Sequence, residues 1–140
     1  MRSSRRAVVL SLVAFTGIVA AAVVLEARPA RSAPSVQRTV LTRQDTAVPG
    51  REAIMAVVEI PPGGTEGRHV HPNAEVYAFV LEGTLALSIE GKPTATLEAG
   101  DVYTVAPGQI HESFNVGAAP VKVNVVFFAE KGKPLTTPIP

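Results

Sequence analysis

Gly63-Gly64-Thr65-Glu66-Gly67-Arg68-His69-Val70-His71-Pro72-Asn73-Ala74-Glu75, answered downstream by Ala106-Pro107-Gly108-Gln109-Ile110-His111, carries every histidine of the chain. His69 and His71 lie two apart, and Glu75 follows four residues later. In a β-strand, residues i, i+2 and i+6 point to one side, so two imidazoles and a carboxylate can share a face. Imidazole and carboxylate together form a ligand set for a divalent transition metal. Glycine and proline frame both stretches, which places them at strand ends and turns rather than inside a helix.

The chain around these stretches reads as β throughout. Short β-prone runs cover Gln37 to Thr42, Ala53 to Ile60, Val76 to Leu81, Thr84 to Glu90, Thr94 to Leu97, Val102 to Val105, Glu112 to Asn115 and Val121 to Phe128. Apolar and polar residues alternate in Leu85-Ala86-Leu87-Ser88-Ile89-Glu90 and in Val121-Lys122-Val123-Asn124-Val125, the sign of half-buried strands. Breakers separate the runs: Pro61-Pro62-Gly63-Gly64, Gly83, Gly91-Lys92-Pro93, Gly100-Asp101, Pro107-Gly108 and Gly117-Ala118-Ala119-Pro120. No stretch after residue 35 has a helical period with caps. Many short strands over about a hundred residues predict an all-β sandwich or barrel. The last ten residues, with Pro134, Pro138 and Pro140, read as an irregular tail.

The beginning of the chain is of another kind. Arg2, Arg5 and Arg6 precede an uncharged run of 19 residues from Ala7 to Leu25. A basic start and an apolar run are the signature of an export signal, and the run is also near the ~20 residues a membrane-spanning helix needs. Residues 1–27 are therefore read as a signal peptide or membrane anchor, 28–35 as a linker, 36–130 as the barrel and 131–140 as the tail. The expected location is outside the cytoplasm, periplasmic or secreted, with membrane contact only through an uncleaved N-terminal segment.

Charge and cysteine content exclude several functions. The whole chain has a formal charge of +1, but from Pro34 onward 8 Lys and Arg stand against 11 Asp and Glu, leaving −3. Such a domain has no electrostatic footprint for nucleic acid. With no cysteine, disulfides, thiolate nucleophiles and Cys-ligated zinc are all excluded.

The two quoted stretches resemble the two motifs of the cupin family. The first motif, G-x5-H-x-H-x3,4-E-x6-G, is met by Gly63, His69, His71, Glu75 and Gly83; the second, G-x5-P-x-G-x2-H-x3-N, by Gly100, Gly108, His111 and Asn115. Two departures stand out. Seven residues rather than six separate Glu75 from Gly83, and one extra residue in a strand reverses the facing side unless a bulge absorbs it. Ala106 occupies the proline position, with Pro107 beside it still supplying a turn.

The resemblance implies a small jelly-roll barrel with a metal at its mouth, held by His69, His71, Glu75 and His111. Fe, Mn, Ni, Cu or Zn would suit this set, and a homodimer fits the family. Cupins host oxygenases, decarboxylases, isomerases, storage proteins and sugar-binding sensors, so the barrel alone does not fix the activity. Two readings are carried: metal-dependent, oxygenase-like chemistry on a small organic substrate, with Glu75 doubling as proton acceptor, or non-catalytic binding of a sugar or aromatic acid. Gln109, Glu112 and Asn115 are candidates for orienting the imidazoles. Tyr77, Phe79 and Leu81 share the parity of Glu75 and would line the cavity if no bulge intervenes, but are read first as core; Glu66 and Arg68 could meet a polar substrate at the rim, but are read first as solvated loop charges.

Overall fold

The computed structural model describes residues 35–140. The signal or anchor segment 1–27, and the linker up to residue 34, lie outside the described residues. Among the described residues, no helix is long and apolar enough to cross a membrane.

Ten strands follow one another: β1 (Gln37–Asp45), β2 (Arg51–Ile60), β3 (His69–Val70), β4 (Ala74–Glu82), β5 (Thr84–Ile89), β6 (Ala95–Glu98), β7 (Val102–Val105), β8 (His111–Asn115), β9 (Val121–Glu130) and β10 (Thr137–Pro138). They form two five-stranded antiparallel sheets, ordered β1-β2-β9-β4-β7 and β10-β3-β8-β5-β6. Apart from the hairpins β1–β2 and β5–β6, chain-adjacent strands fall in different sheets, as in β2–β3, β3–β4 and β4–β5, which is the winding of a jelly roll.

The core follows from alternation. In β2 the buried positions are Glu52, Ile54, Ala56, Val58 and Ile60; in β9 they are Val121, Val123, Val125, Phe127 and Ala129. These inward residues are mostly β-branched, the type that packs best on a pleated surface. Each fully buried Val or Ile contributes about 1.5–3 kcal/mol of transfer free energy. Gly83 closes the tight β4–β5 link with φ +84°, where a Cβ would meet the Pro120 carbonyl oxygen at 2.8 Å. Only glycine fits there.

Eight of the strands match the runs predicted from alternation, with ends moved by a few residues. Two were not anticipated. β3 has only two residues, too few for any periodicity to register. β10 lies in the expected irregular tail, yet Thr137 pairs with Val70 and Pro138 with His69. The tail is thus a correction: it folds back as an edge strand beside the histidines, and an edge position is where proline is tolerated.

Candidate metal centre

The three histidines come together at one end of the barrel. His69 on β3 stands directly opposite His111 on β8, and His71 follows β3 by one residue. Ring centroids are 4.1 Å apart for His69 and His111, 4.9 Å for His69 and His71, and 5.0 Å for His71 and His111. One ring nitrogen from each lies within 4.8 Å of the others. A cation bonded at about 2.0–2.1 Å to each nitrogen requires only a small inward movement of the rings. All three are buried, between 4% and 6% exposed.

Hydrogen bonds fix which nitrogen faces inward. His69 Nδ1 donates to the Gly67 carbonyl at 2.8 Å, His71 Nδ1 to the Leu135 carbonyl at 2.8 Å, and His111 Nδ1 to the Gln109 carbonyl at 3.0 Å. A carbonyl can only accept, so each Nδ1 carries a proton, and in the neutral imidazole the lone pair is left on Nε2. A backbone acceptor behind each imidazole is the usual support of a metal-ligating histidine. Gly67 presents its carbonyl from a left-handed turn at φ +70°. Burial, first of all, lowers the pKa of His71 to about 4, with the neighbouring His111, His69 and Arg38 charges adding to the effect. Burial likewise lowers that of His111. Neutral imidazoles with converging lone pairs fit a divalent transition metal, and three such donors leave further coordination positions open.

Glu75 does not join them. On β4, Ala74, Val76, Ala78 and Val80 are buried, whereas Glu75, Tyr77 and Phe79 face outward. The Glu75 carboxylate accepts a hydrogen bond from the Tyr77 hydroxyl at 2.9 Å on this outer face. The expectation that Glu75 binds the metal or accepts protons in the cavity is therefore corrected. The extra residue before Gly83 is absorbed by a bulge between Val80 and Glu82, downstream of Glu75, so it cannot turn Glu75 inward. The inward position is Val76, which lines the cavity. Tyr77 and Phe79, each 43% exposed, are surface residues and not core.

The cavity encloses about 110 Å³ beside the imidazoles and is lined by Arg38, Arg43, Glu66, Val76, Tyr103 and Phe127 among others. Glu66, anticipated as a solvated loop charge, has a side chain only 11% exposed and is paired with Arg38 at 2.7 Å. It is the acid of this cavity, and its charge acts on His111 and Tyr103. Burial, then the Glu66 charge, holds the Tyr103 phenol far above its usual range. Ser113 shares the inward face of β8 with His111, and its buried hydroxyl lies against the Tyr103 phenol, partly offsetting the rise.

The residues anticipated as imidazole supports act differently. Only Gln109 does so, and through its backbone carbonyl. The Asn115 amide donates to the Ile60 and Ala119 carbonyls, tying loops together, and Glu112 accepts from Thr65. Leu135, which supports His71, was invisible to sequence reasoning because it lies 64 residues away.

Comparison with known proteins gives a consistent picture. A family model described as a cupin domain matches residues 56–127. A probable germin-like protein of Arabidopsis thaliana (subfamily 2 member 5) is 38% identical over 77 residues, covering 52% of this chain and 36% of that protein. Oxalate oxidase GF-3.8 of Triticum aestivum is 33% identical over 78 residues, covering 51% and 34%. The chain thus spans about a third of the length of the relatives it matches. Among solved structures, a conserved double-stranded β-helix protein from Klebsiella pneumoniae superposes with TM-score 0.61 at 24% identity, covering 79% of this chain and 87% of that one. A recombinant oxalate oxidase in complex with glycolate superposes with TM-score 0.58 at 27% identity, covering 74% and 61%.

Proposed function

The chain belongs to the cupin family, and from that premise we propose that it binds one divalent transition metal through His69, His71 and His111 and carries out metal-dependent, oxygenase-like chemistry on a small organic substrate. The observation that carries this reading is the triad of buried imidazoles, each locked by a backbone carbonyl with its lone pair turned to a common point. Fe, Mn, Ni, Cu and Zn all suit such a donor set. A bound ion there supplies Lewis acidity and open positions for substrate or dioxygen.

The chain's own residues do the rest. Val76, Phe127 and Leu135 keep bulk water from the imidazoles. Glu66, facing His111 across the cavity, is the acid in reach of a bound substrate, the part the sequence reading gave to Glu75. The similarity to oxalate oxidases, one of them holding glycolate, supports a small oxygenated substrate. The basic start and apolar run of residues 1–25 support export, either as a released protein or on an N-terminal anchor.

A second reading, ligand binding without turnover, is favoured by one feature: Glu66 is already committed to Arg38, which makes it a poor proton acceptor. Oxygen uptake by the full chain, loaded separately with iron, manganese, copper and nickel, separates the two. Uptake with any of a panel of diols, flavonols, keto acids and oxalate is the expected result. Silence with every metal, alongside sugar or aromatic-acid stabilisation of metal-free protein, would establish the second reading.

A further inference from the structure

We infer that the C-terminal strap, residues 131–139, is a clasp for the metal centre: its docking holds the His71 ring in the pose that binds the ion, and the bound ion in turn fastens the strap. The inference rests on the metal-site reading above and adds a regulation of that site.

The three imidazoles are not supported alike. His69 and His111 each donate from Nδ1 to a carbonyl two residues earlier, in the turn that carries them. Those supports come with the local fold. His71 has no such neighbour. Its Nδ1 proton is shared between the Leu135 carbonyl at 2.8 Å and the Thr136 hydroxyl oxygen at 3.3 Å, both on the strap. The Gly108 amide holds the His71 backbone at 3.1 Å, but among the described residues the ring is oriented by the strap.

The strap leaves β9 in one sheet at Glu130 and joins the edge of the other sheet as β10. On the way Leu135 and Thr136 form part of the cavity wall. Pairing of Thr137 with Val70 and of Pro138 with His69 makes β10 the outer neighbour of β3. A second ligand therefore leans on the same segment.

Lys131 pins the near end, to the Gly50 carbonyl at 2.9 Å and to Asp45 at 2.7 Å. Beyond it the anchorage is slight. Leu135 and Ile139 are half-buried, and every other residue from Gly132 to Pro140 is exposed. Leu135 packs against the core, Asn73 Nδ2 donates to the Pro134 carbonyl at 3.4 Å, and the Ile139 N–H donates to the Arg68 carbonyl at 2.9 Å. Few buried apolar contacts give a segment low local stability. A segment that opens readily and completes a ligand set couples its docking to binding, and such coupling is reciprocal.

The test uses the full chain and Zn²⁺, with affinity read by competition against a chromophoric chelator. Leu135→Gly removes the apolar anchor and frees the carbonyl. It should weaken Zn²⁺ about 10–100-fold, the range for loss of the partner behind a ligating histidine. Thr136→Val should weaken it less. Leu97→Ala, which trims another half-buried side chain packed on the core, controls for lost stability and should leave the affinity unchanged. In metal-free protein, nitrogen NMR should show the Nδ1 proton fixed on all three histidines of the parent, and lost from that position at His71 alone in Leu135→Gly. The chain has no cysteine, so Lys133→Cys takes a single nitroxide on the strap. Zn²⁺ should slow that label in the parent background but not in Leu135→Gly, and should leave a label at Lys92→Cys, between β5 and β6, unmoved.

An affinity loss in Leu135→Gly no larger than in Leu97→Ala, or a strap label indifferent to Zn²⁺, would overturn the inference. Should Leu135→Gly fail to fold, Asn73→Ala, which unties Pro134, takes its place in each comparison. A parent that binds no Zn²⁺ defeats the metal reading alone. The metal-free NMR then decides whether the strap holds His71, and an unchanged His71 signal would count against it.

Discussion

The two faces of β4 meet very different surroundings. Its inner face, Ala74, Val76, Ala78 and Val80, is apolar and closes the cavity against three neutral imidazoles. Its outer face carries Glu75, Tyr77 and Phe79 in water. The carboxylate that a linear reading assigns to the metal is one residue away from the cavity and wholly outside it. Parity along a strand, not distance along the chain, decides which side chains can meet.

Metal content tests that contrast most sharply. His69→Ala and His111→Ala should each drop the full chain from about one bound ion to nearly none, because a site with three protein ligands cannot spare one. Glu75→Ala should leave the content unchanged. Elemental analysis of purified protein decides, and metal loss in the Glu75 variant would return that residue to the site.

Val76→Glu should exchange the roles of the two faces by placing a carboxylate where the cavity can use it. Without metal, burying the acid should cost about 1–3 kcal/mol. With metal it becomes a fourth ligand, so the metal-induced rise in melting temperature should exceed that of the parent. An equal rise in both would show that position 76 does not reach the ion.

Acid should weaken the inner face selectively. His71 is neutral in the folded protein down to about pH 4 because burial opposes its charging, whereas in the unfolded chain it titrates near 6.5. The unfolded state thus binds more protons between those values, and stability falls with pH across that window. For His71 alone the loss amounts to about 3 kcal/mol, complete by about pH 4. His111 shifts in the same direction. Urea midpoints of metal-free protein at pH 7.5, 5.5 and 4.5 should show the decline, and His71→Gln should flatten it.

The outer face should respond least. The hydrogen bond from Tyr77 to Glu75, followed by the Glu75 charge, holds the Tyr77 phenol above its usual pKa. Glu75→Ala should lower the Tyr77 titration midpoint, read by ultraviolet absorbance, with no change in metal content or melting temperature. A fall in melting temperature would mean that this exposed pair supports the barrel after all.

Much of this was legible in the residues themselves. Alternation in β5 and β9 follows from one face meeting a core and the other meeting water, so strand type and rough limits can be read directly. His69, His71 and His111 were legible as one group through their motif spacing, since glycines and prolines at those offsets specify the turns that carry them. Glu75 was misread because His69 to Glu75 was taken as one strand, whereas a turn after His71 separates β3 from β4, which lie in different sheets, so the i, i+2, i+6 parity does not carry across. Glu66 was read first as a solvated loop charge, with contact to a substrate at the rim second, because its burial depends on Arg38, 28 residues earlier, and no local pattern encodes such a pairing.

The sequence by itself thus determined a β-architecture and three imidazoles able to share one ion, because periodicity and turn chemistry are local properties of a chain. Only the tertiary structure decided that Val76 rather than Glu75 faces the cavity and that Leu135 in the tail orients His71. Each of these depends on strand register and long-range pairing, and a shift of a single residue in either would reverse it.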